Sequence, residues 1–171
     1  MHWRLLEEIL ALTPGKSALA TARTDFPEEI FADHFPGIPV TPGVLLIEMC
    51  AQLAGRLVGI TASQRAQQLR LPFLTMVIEA KLRRFVGPGE QVQIEVELEE
   101  LEELSAVCRA RVLRDEERVA TLRLMFGFLP EEEAARRRNP LLEAFERGEF
   151  KRLGLVGFPP GEVTVRRSRP T

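Results

Sequence analysis

Apolar and polar residues alternate most regularly over Gln91–Glu99, where Val92, Ile94, Val96 and Leu98 face one way and Gln93, Glu95, Glu97 and Glu99 the other. A period of two marks a strand with one buried face. Further strands are expected from Lys16 to Arg23, Phe73 to Phe85, Leu104 to Arg114 and Arg118 to Phe128. Gly87-Pro88-Gly89 and Asp115-Glu116-Glu117 supply turns of this meander. Its glutamates are then a solvated strand face rather than an acidic binding tail. Residues 3–12 place Trp3, Leu6, Ile9 and Leu10 near one face of a helix, so a short amphipathic helix is expected there, stopped by Pro14-Gly15.

From Gly43 to about Ile60 the chain is apolar on nearly every side, which predicts a buried helix. Thr41 is placed to cap it, and Pro42 suits its first turn. Residues 26–42, with Pro27, Pro36, Pro39 and Pro42, read as irregular, and residues 61–68 as a polar connection. After Pro130 come charge blocks (Glu131–Glu133 and Arg136–Arg138), a short helix near Leu141–Arg147 and a Gly/Pro-rich end. The expected class is α+β, with an antiparallel sheet wrapped around one long central helix. Residues 1–130 form the domain, and residues 131–171 are a C-terminal extension too short to be a second one.

Composition narrows the function classes. A chain of 171 residues with 28% charged residues and a net charge of −2 is an ordinary globular domain, not a nucleic-acid binder. Cys50 and Cys108 sit in apolar runs, and two cysteines with two histidines make neither a disulfide framework nor a zinc site. Neither a metal nor a cofactor is expected. The N-terminus lacks the apolar run of a signal peptide, and no stretch of about 18 apolar residues predicts a membrane span, so a cytoplasmic protein is expected. Gly15-Lys16-Ser17 resembles the end of a phosphate-binding loop, but the earlier glycine is missing and a strand follows where a helix should start.

The polar residues of the buried helix before residue 60 are Glu48, Gln52 and Arg56, on one stripe at i, i+4 and i+8. That stripe either faces solvent or carries chemistry. Upstream stands His34, within the proline-stiffened Phe31-Ala32-Asp33-His34-Phe35-Pro36-Gly37-Ile38-Pro39, which leads directly into the helix. His34, the first N–H groups of the helix at Gly43 and Val44, and Glu48 could therefore converge. A neutral imidazole can take a proton from carbon. Helix N-terminal N–H groups can hold an enolate-like oxygen. A carboxylic acid among apolar side chains can keep its proton and act as an acid. Together these parts suit removal of water from a β-hydroxy carbonyl compound.

The run from His34 to Gln52 (His34-Phe35-Pro36-Gly37-Ile38-Pro39-Val40-Thr41-Pro42-Gly43-Val44-Leu45-Leu46-Ile47-Glu48-Met49-Cys50-Ala51-Gln52) resembles the signature of the bacterial 3-hydroxyacyl-acyl-carrier-protein dehydratases of hot-dog fold. The resemblance reaches upstream through Leu12-Thr13-Pro14-Gly15-Lys16, and downstream through Ala80–Val86 and Gly87–Glu90 to about Phe128. It implies that His34 and Glu48 are the catalytic pair, that Gly43 offers its N–H to the thioester carbonyl, and that Gln52 supports the acid. Glu at position 48, not Asp, implies the branch that dehydrates without isomerising the double bond.

The same resemblance implies a homodimer with each site shared between subunits, often assembled further into a hexamer, and an apolar tunnel for the acyl chain. Basic residues near its entrance would meet acyl-carrier protein, or the coenzyme A form of the substrate. Lys81, Arg83 and Arg84 fit that place, although a solvated strand face would look the same. Three departures stand out: Asp33 replaces the usual Gly before the histidine, Thr41 replaces Met, and residues 131–171 have no counterpart. The expected activity is dehydration of a 3-hydroxyacyl thioester to the trans-2-enoyl product. The rivals are a thioesterase on the same fold and a non-catalytic binding or partner subunit.

Overall fold

The computed structural model describes residues 4–136 and 139–166. Its main element is a six-stranded antiparallel sheet in the order β1-β2-β4-β5-β6-β3. The strands are β1 (Leu6–Thr13), β2 (Ser17–Arg23), β3 (Pro72–Leu82), β4 (Gln91–Leu101), β5 (Ser105–Arg114) and β6 (Glu117–Phe128). The sheet wraps the helix α2 (Gly43–Ala66), which is the hot-dog architecture that the resemblance implies. Apolar residues of β4 (Val92, Ile94, Val96), of β5 (Cys108, Ala110, Val112) and of β6 (Leu122, Leu124, Phe126) pack with α2 residues Met49, Leu53, Leu57 and Ile60 in one core. The strand alternation thus buries the face that the sequence pattern selects. By length and composition α2 could cross a membrane, but most of it is buried within the protein.

Four expectations are corrected. Residues 6–13 form strand β1, not a helix, and pair with β2 from Leu6↔Ala22 to Thr13↔Ser17. Trp3 lies outside the described residues. The proline-rich segment contains a short helix, α1 (Glu28–Asp33).

Third, Thr41 does not cap α2. Pro42 stands at the N-cap, and Thr41 is tied to the neighbouring turn, its N–H donating to the Val86 carbonyl at 2.7 Å. Fourth, α2 does not end at residue 60, because Thr61 and Ser63 satisfy their hydroxyls internally. Thr61 Oγ1 donates to the Leu57 carbonyl (2.7 Å) and accepts from the Gly15 N–H (2.8 Å), while Ser63 Oγ accepts from the Arg70 N–H (2.8 Å). Polar side chains so paired can be buried at little cost. The helix stops at Gln67, whose left-handed backbone (φ 53°) closes its C-terminus.

The extension is more ordered than a charged tail. It holds α3 (Glu131–Arg136), α4 (Pro140–Arg152) and a small antiparallel pair, β7 (Leu155–Gly157) with β8 (Val163–Val165). The Asn139 side chain accepts from the Leu141 N–H and caps α4, with Pro140 following it. Phe150, Leu153, Leu155 and Val163 are buried in the same core as Leu6 and Ile9.

Candidate active site

His34 ends α1 and opens a compact loop. Its carbonyl accepts the Val40 N–H (2.9 Å), Phe35 and Ile38 exchange backbone bonds (3.0 and 2.9 Å), and Gly37 sits at φ +79°. Only glycine takes that left-handed position readily, and Pro36 before it suits the turn. The loop closes a second time through the imidazole, whose Nδ1 lies 3.0 Å from the Val40 carbonyl oxygen. A carbonyl only accepts, so Nδ1 carries the proton and the neutral ring presents Nε2 as its basic nitrogen. The ring also stacks on Phe35 at 4.2 Å between centroids. Asp33 belongs to the last turn of α1 and keeps ordinary helical backbone, so a residue other than glycine fits there without strain.

Glu48 lies on α2, half-buried, one turn past the helix start. Gln52 Nε2 donates to Glu48 Oε1 at 3.0 Å. The Gln52 amide is itself oriented, since its Oε1 accepts the Leu5 N–H at 3.2 Å. With Oε1 of Glu48 engaged as an acceptor, a proton on this acid belongs on Oε2. Within the stripe, Glu48 and Gln52 are joined by this hydrogen bond, whereas Arg56 pairs with Glu146 of α4.

Between His34 and Glu48 in the sequence lies the start of α2. The Leu45 N–H already returns to the Pro42 carbonyl (2.9 Å), whereas the N–H groups of Gly43 and Val44 precede the first intrahelical bond. Val44 is 69% exposed. A side chain at Gly43 would meet Leu82 of β3, because a Cβ there falls 2.2 Å from Leu82 Cδ1. Glycine therefore lets the end of β3 lie against the helix N-terminus. Fixed N–H donors, a basic imidazole nitrogen and an oriented carboxyl are the parts needed to move a proton and steady a developing oxyanion.

The hydrogen bonds at His34 and at Glu48 run to different partners, Val40 and Gln52. Lys81, Arg83 and Arg84 are exposed around the end of β3, with Lys81 paired to Glu79 (2.6 Å) and Arg84 to Glu117 (2.8 Å). The Lys81 ammonium holds the Glu79 carboxyl below the usual carboxylate range. Neither thiol is available for chemistry: burial pushes Cys50 far up and Cys108 to about 12. Two contacts escape the sequence reading, those of Leu5 with Gln52 and of Arg56 with Glu146, since each joins residues remote along the chain.

Residues 1–123 match the model of a family described as FabA-like domain, which includes the whole His34–Gln52 block. The protein named 3-hydroxyacyl-[acyl-carrier-protein] dehydratase FabZ from Syntrophotalea carbinolica is 40% identical over 94 residues, covering 55% of this chain and 63% of its own. That of the same name from Latilactobacillus sakei is 37% identical over 122 residues, covering 71% and 85%. A solved hypothetical thioesterase with coenzyme A from Streptococcus pneumoniae TIGR4 shares 13% identity at a TM-score of 0.56, over 71% of this chain and 84% of that one. At that identity the likeness speaks to the fold alone.

Proposed function

This chain belongs to the FabA-like domain family, and from that premise we infer that it removes water from a 3-hydroxyacyl thioester, giving the trans-2-enoyl thioester of fatty-acid synthesis. The observation that carries the reading is the committed His34 ring: with Nδ1 bound to Val40, Nε2 is the base. It takes a proton from the carbon next to the thioester carbonyl. The electron pair moves onto the carbonyl oxygen, which the N–H groups of Gly43 and Val44 hold. The pair returns to form the double bond as the hydroxyl leaves the β-carbon, taking the Glu48 proton to depart as water. Imidazolium and carboxylate then exchange one proton to reset the pair. No cofactor takes part. Hydrolysis of the thioester would need Glu48 to activate or replace water, and gives His34 no part.

The substrate is carried on acyl-carrier protein, with Lys81, Arg83 and Arg84 as its acidic partner's docking points. A coenzyme A thioester offers the same reacting atoms. The protein acts as a soluble cytoplasmic homodimer, which can assemble further as a trimer of dimers, with His34 of one subunit facing Glu48 of the other. Support for the dimer comes from β3, an edge strand with Phe73, Leu74, Met76, Val77 and Ile78 all exposed.

His34→Ala and Glu48→Gln are each expected to lower turnover by roughly 10²–10⁴-fold with the fold intact. Unfolding and refolding the two variants together yields hybrid dimers holding one intact site, so about a quarter of wild-type activity returns. A mixture no more active than its parents overturns the shared site, and full activity in either variant overturns the assignment.

A further inference from the structure

The C-terminal extension lies beyond the stretch matched to the family, yet its bonds lead step by step to Glu48. Glu149 on α4 is 4% exposed. One of its oxygens pairs with Arg4 Nε (2.9 Å) and the other with Arg152 Nη2 (2.9 Å). Arg152 also donates to the Leu6 carbonyl (2.8 Å), and the Leu153 carbonyl accepts the Ile9 N–H (3.0 Å). Residues 149–153 therefore grip the chain at positions 4, 6 and 9. Leu5, inside that gripped stretch, donates its N–H to Gln52 Oε1. This bond turns the Gln52 amide so that its NH₂ group faces Glu48.

We propose that Glu149 is a positioning residue for the dehydration: it fixes Arg4–Leu6, so that the Leu5 N–H holds Gln52 with its donor toward Glu48. The inference rests on Glu48 being the acid of the preceding reading. Its physical content is the direction of one amide. If residues 4–6 drift, the Gln52 amide can rotate and present its oxygen to Glu48. An amide oxygen there accepts from the carboxylic acid and draws its proton away from the leaving hydroxyl. The acid would still be present, but aimed at the wrong partner. The extension would thus supply a support for the acid that the matched region lacks.

The same helix α4 offers an internal control. Its Glu146 pairs with Arg56 on α2, an anchor of the extension separate from the Arg4–Glu149 pair. The test measures kcat and KM of the full chain with Glu149→Gln, Arg4→Met, Gln52→Ala, Glu146→Gln, and the Glu149→Gln/Gln52→Ala pair. Losing one positioning hydrogen bond is expected to lower kcat by roughly 5–30-fold in the first three, with KM within about twofold of wild type. The pair should be no slower than Gln52→Ala alone, because both changes remove the same orientation. Glu146→Gln should lower Tm and leave kcat within about twofold.

Losses that multiply in the pair, an unchanged kcat in Arg4→Met, or an equal kcat loss in Glu146→Gln would each overturn the link. Should Glu149→Gln fail to fold, Arg4→Met combined with Gln52→Ala decides the same question from the exposed end of the ion pair. A wild-type chain without dehydratase activity overturns the underlying reading, whereas an active one indifferent to these changes overturns the link alone.

Discussion

The two edge strands of the sheet differ in what covers them. Along β1 the Ile9 N–H is taken by Leu153, the Leu6 carbonyl by Arg152, and the extension buries Phe150 and Leu153 against the strand's neighbourhood. Two bulges also interrupt β1, between Leu6 and Glu8 and between Ile9 and Ala11. Along β3 the described residues of the extension leave the strand open: every residue from Phe73 to Leu82 is exposed, and Phe85 just beyond is 77% exposed. An open edge is a template for another strand, and proteins blunt those that they do not use. Among the described residues, the extension blunts one edge and leaves the other open, and the open edge is the one that the proposed dimer would use.

The strongest way to break this contrast is to charge the open edge. Met76→Lys on β3 is expected to give monomers by light scattering and to lower activity by more than about 100-fold, the outcome required by the proposed site shared between two chains. A fully active monomer would show that one chain holds a complete site.

The covered edge answers to a different measurement. Leu153→Ala is expected to cost about 2–5 kcal/mol in denaturant melts while the oligomeric state stays the same. Deleting residues 131–171 is expected to leave the 1–130 unit folded at a lower Tm, with β1 now open to pairing. An unfolded truncated chain would place the extension inside the folding unit.

The smallest effect belongs to the middle of the sheet, which is independent of both edges. Glu99 on β4 binds Arg123 of β6 (2.6 Å) and Arg109 of β5 (2.6 Å). The Arg123 hydrogen bond, with a lesser one from Arg109, holds its carboxyl below the usual carboxylate range against the opposing effect of burial. A lowered folded-state value adds stability above the ordinary carboxylate range, and that gain fades as pH falls through the lowered value. Glu99→Gln should therefore cost about 1 kcal/mol at neutral pH and less as the solution is acidified, with no change in oligomeric state. A cost that is constant with pH would place it outside this ion pair.

The same contrast explains which parts of the fold were legible in the sequence. β4 pairs in register with β2 through all seven of that strand's residues, and its alternation reads directly as a strand. In β1 the bulges shift the buried face, so Leu6 and Ile9, three residues apart, both point inward. A spacing of three is what an amphipathic helix shows, and one face of one strand imitated it. The helix α2 was plain from its apolar run, but Thr61 and Ser63 looked like loop residues because their partners, Gly15 and Arg70, are fixed only by the fold. The His34–Gln52 block was readable because its parts sit close along the chain. The support from Leu5, Arg4 and Glu149 was not, since it spans nearly the whole sequence.

The buried cysteines bear on the cargo in another way. A protein that handles acyl thioesters risks acyl exchange onto its own sulfur, since a thiolate attacks a thioester readily. Cys50 lies two residues after Glu48, on the helix that carries the acid, yet it is fully buried, and burial drives its thiol far above the ordinary range. Cys108, at about 12, is equally silent at neutral pH. Buried in this way, neither sulfur is exposed to an acyl thioester, and the proposed reaction, which leaves the acyl group on the sulfur that brought it, calls on neither.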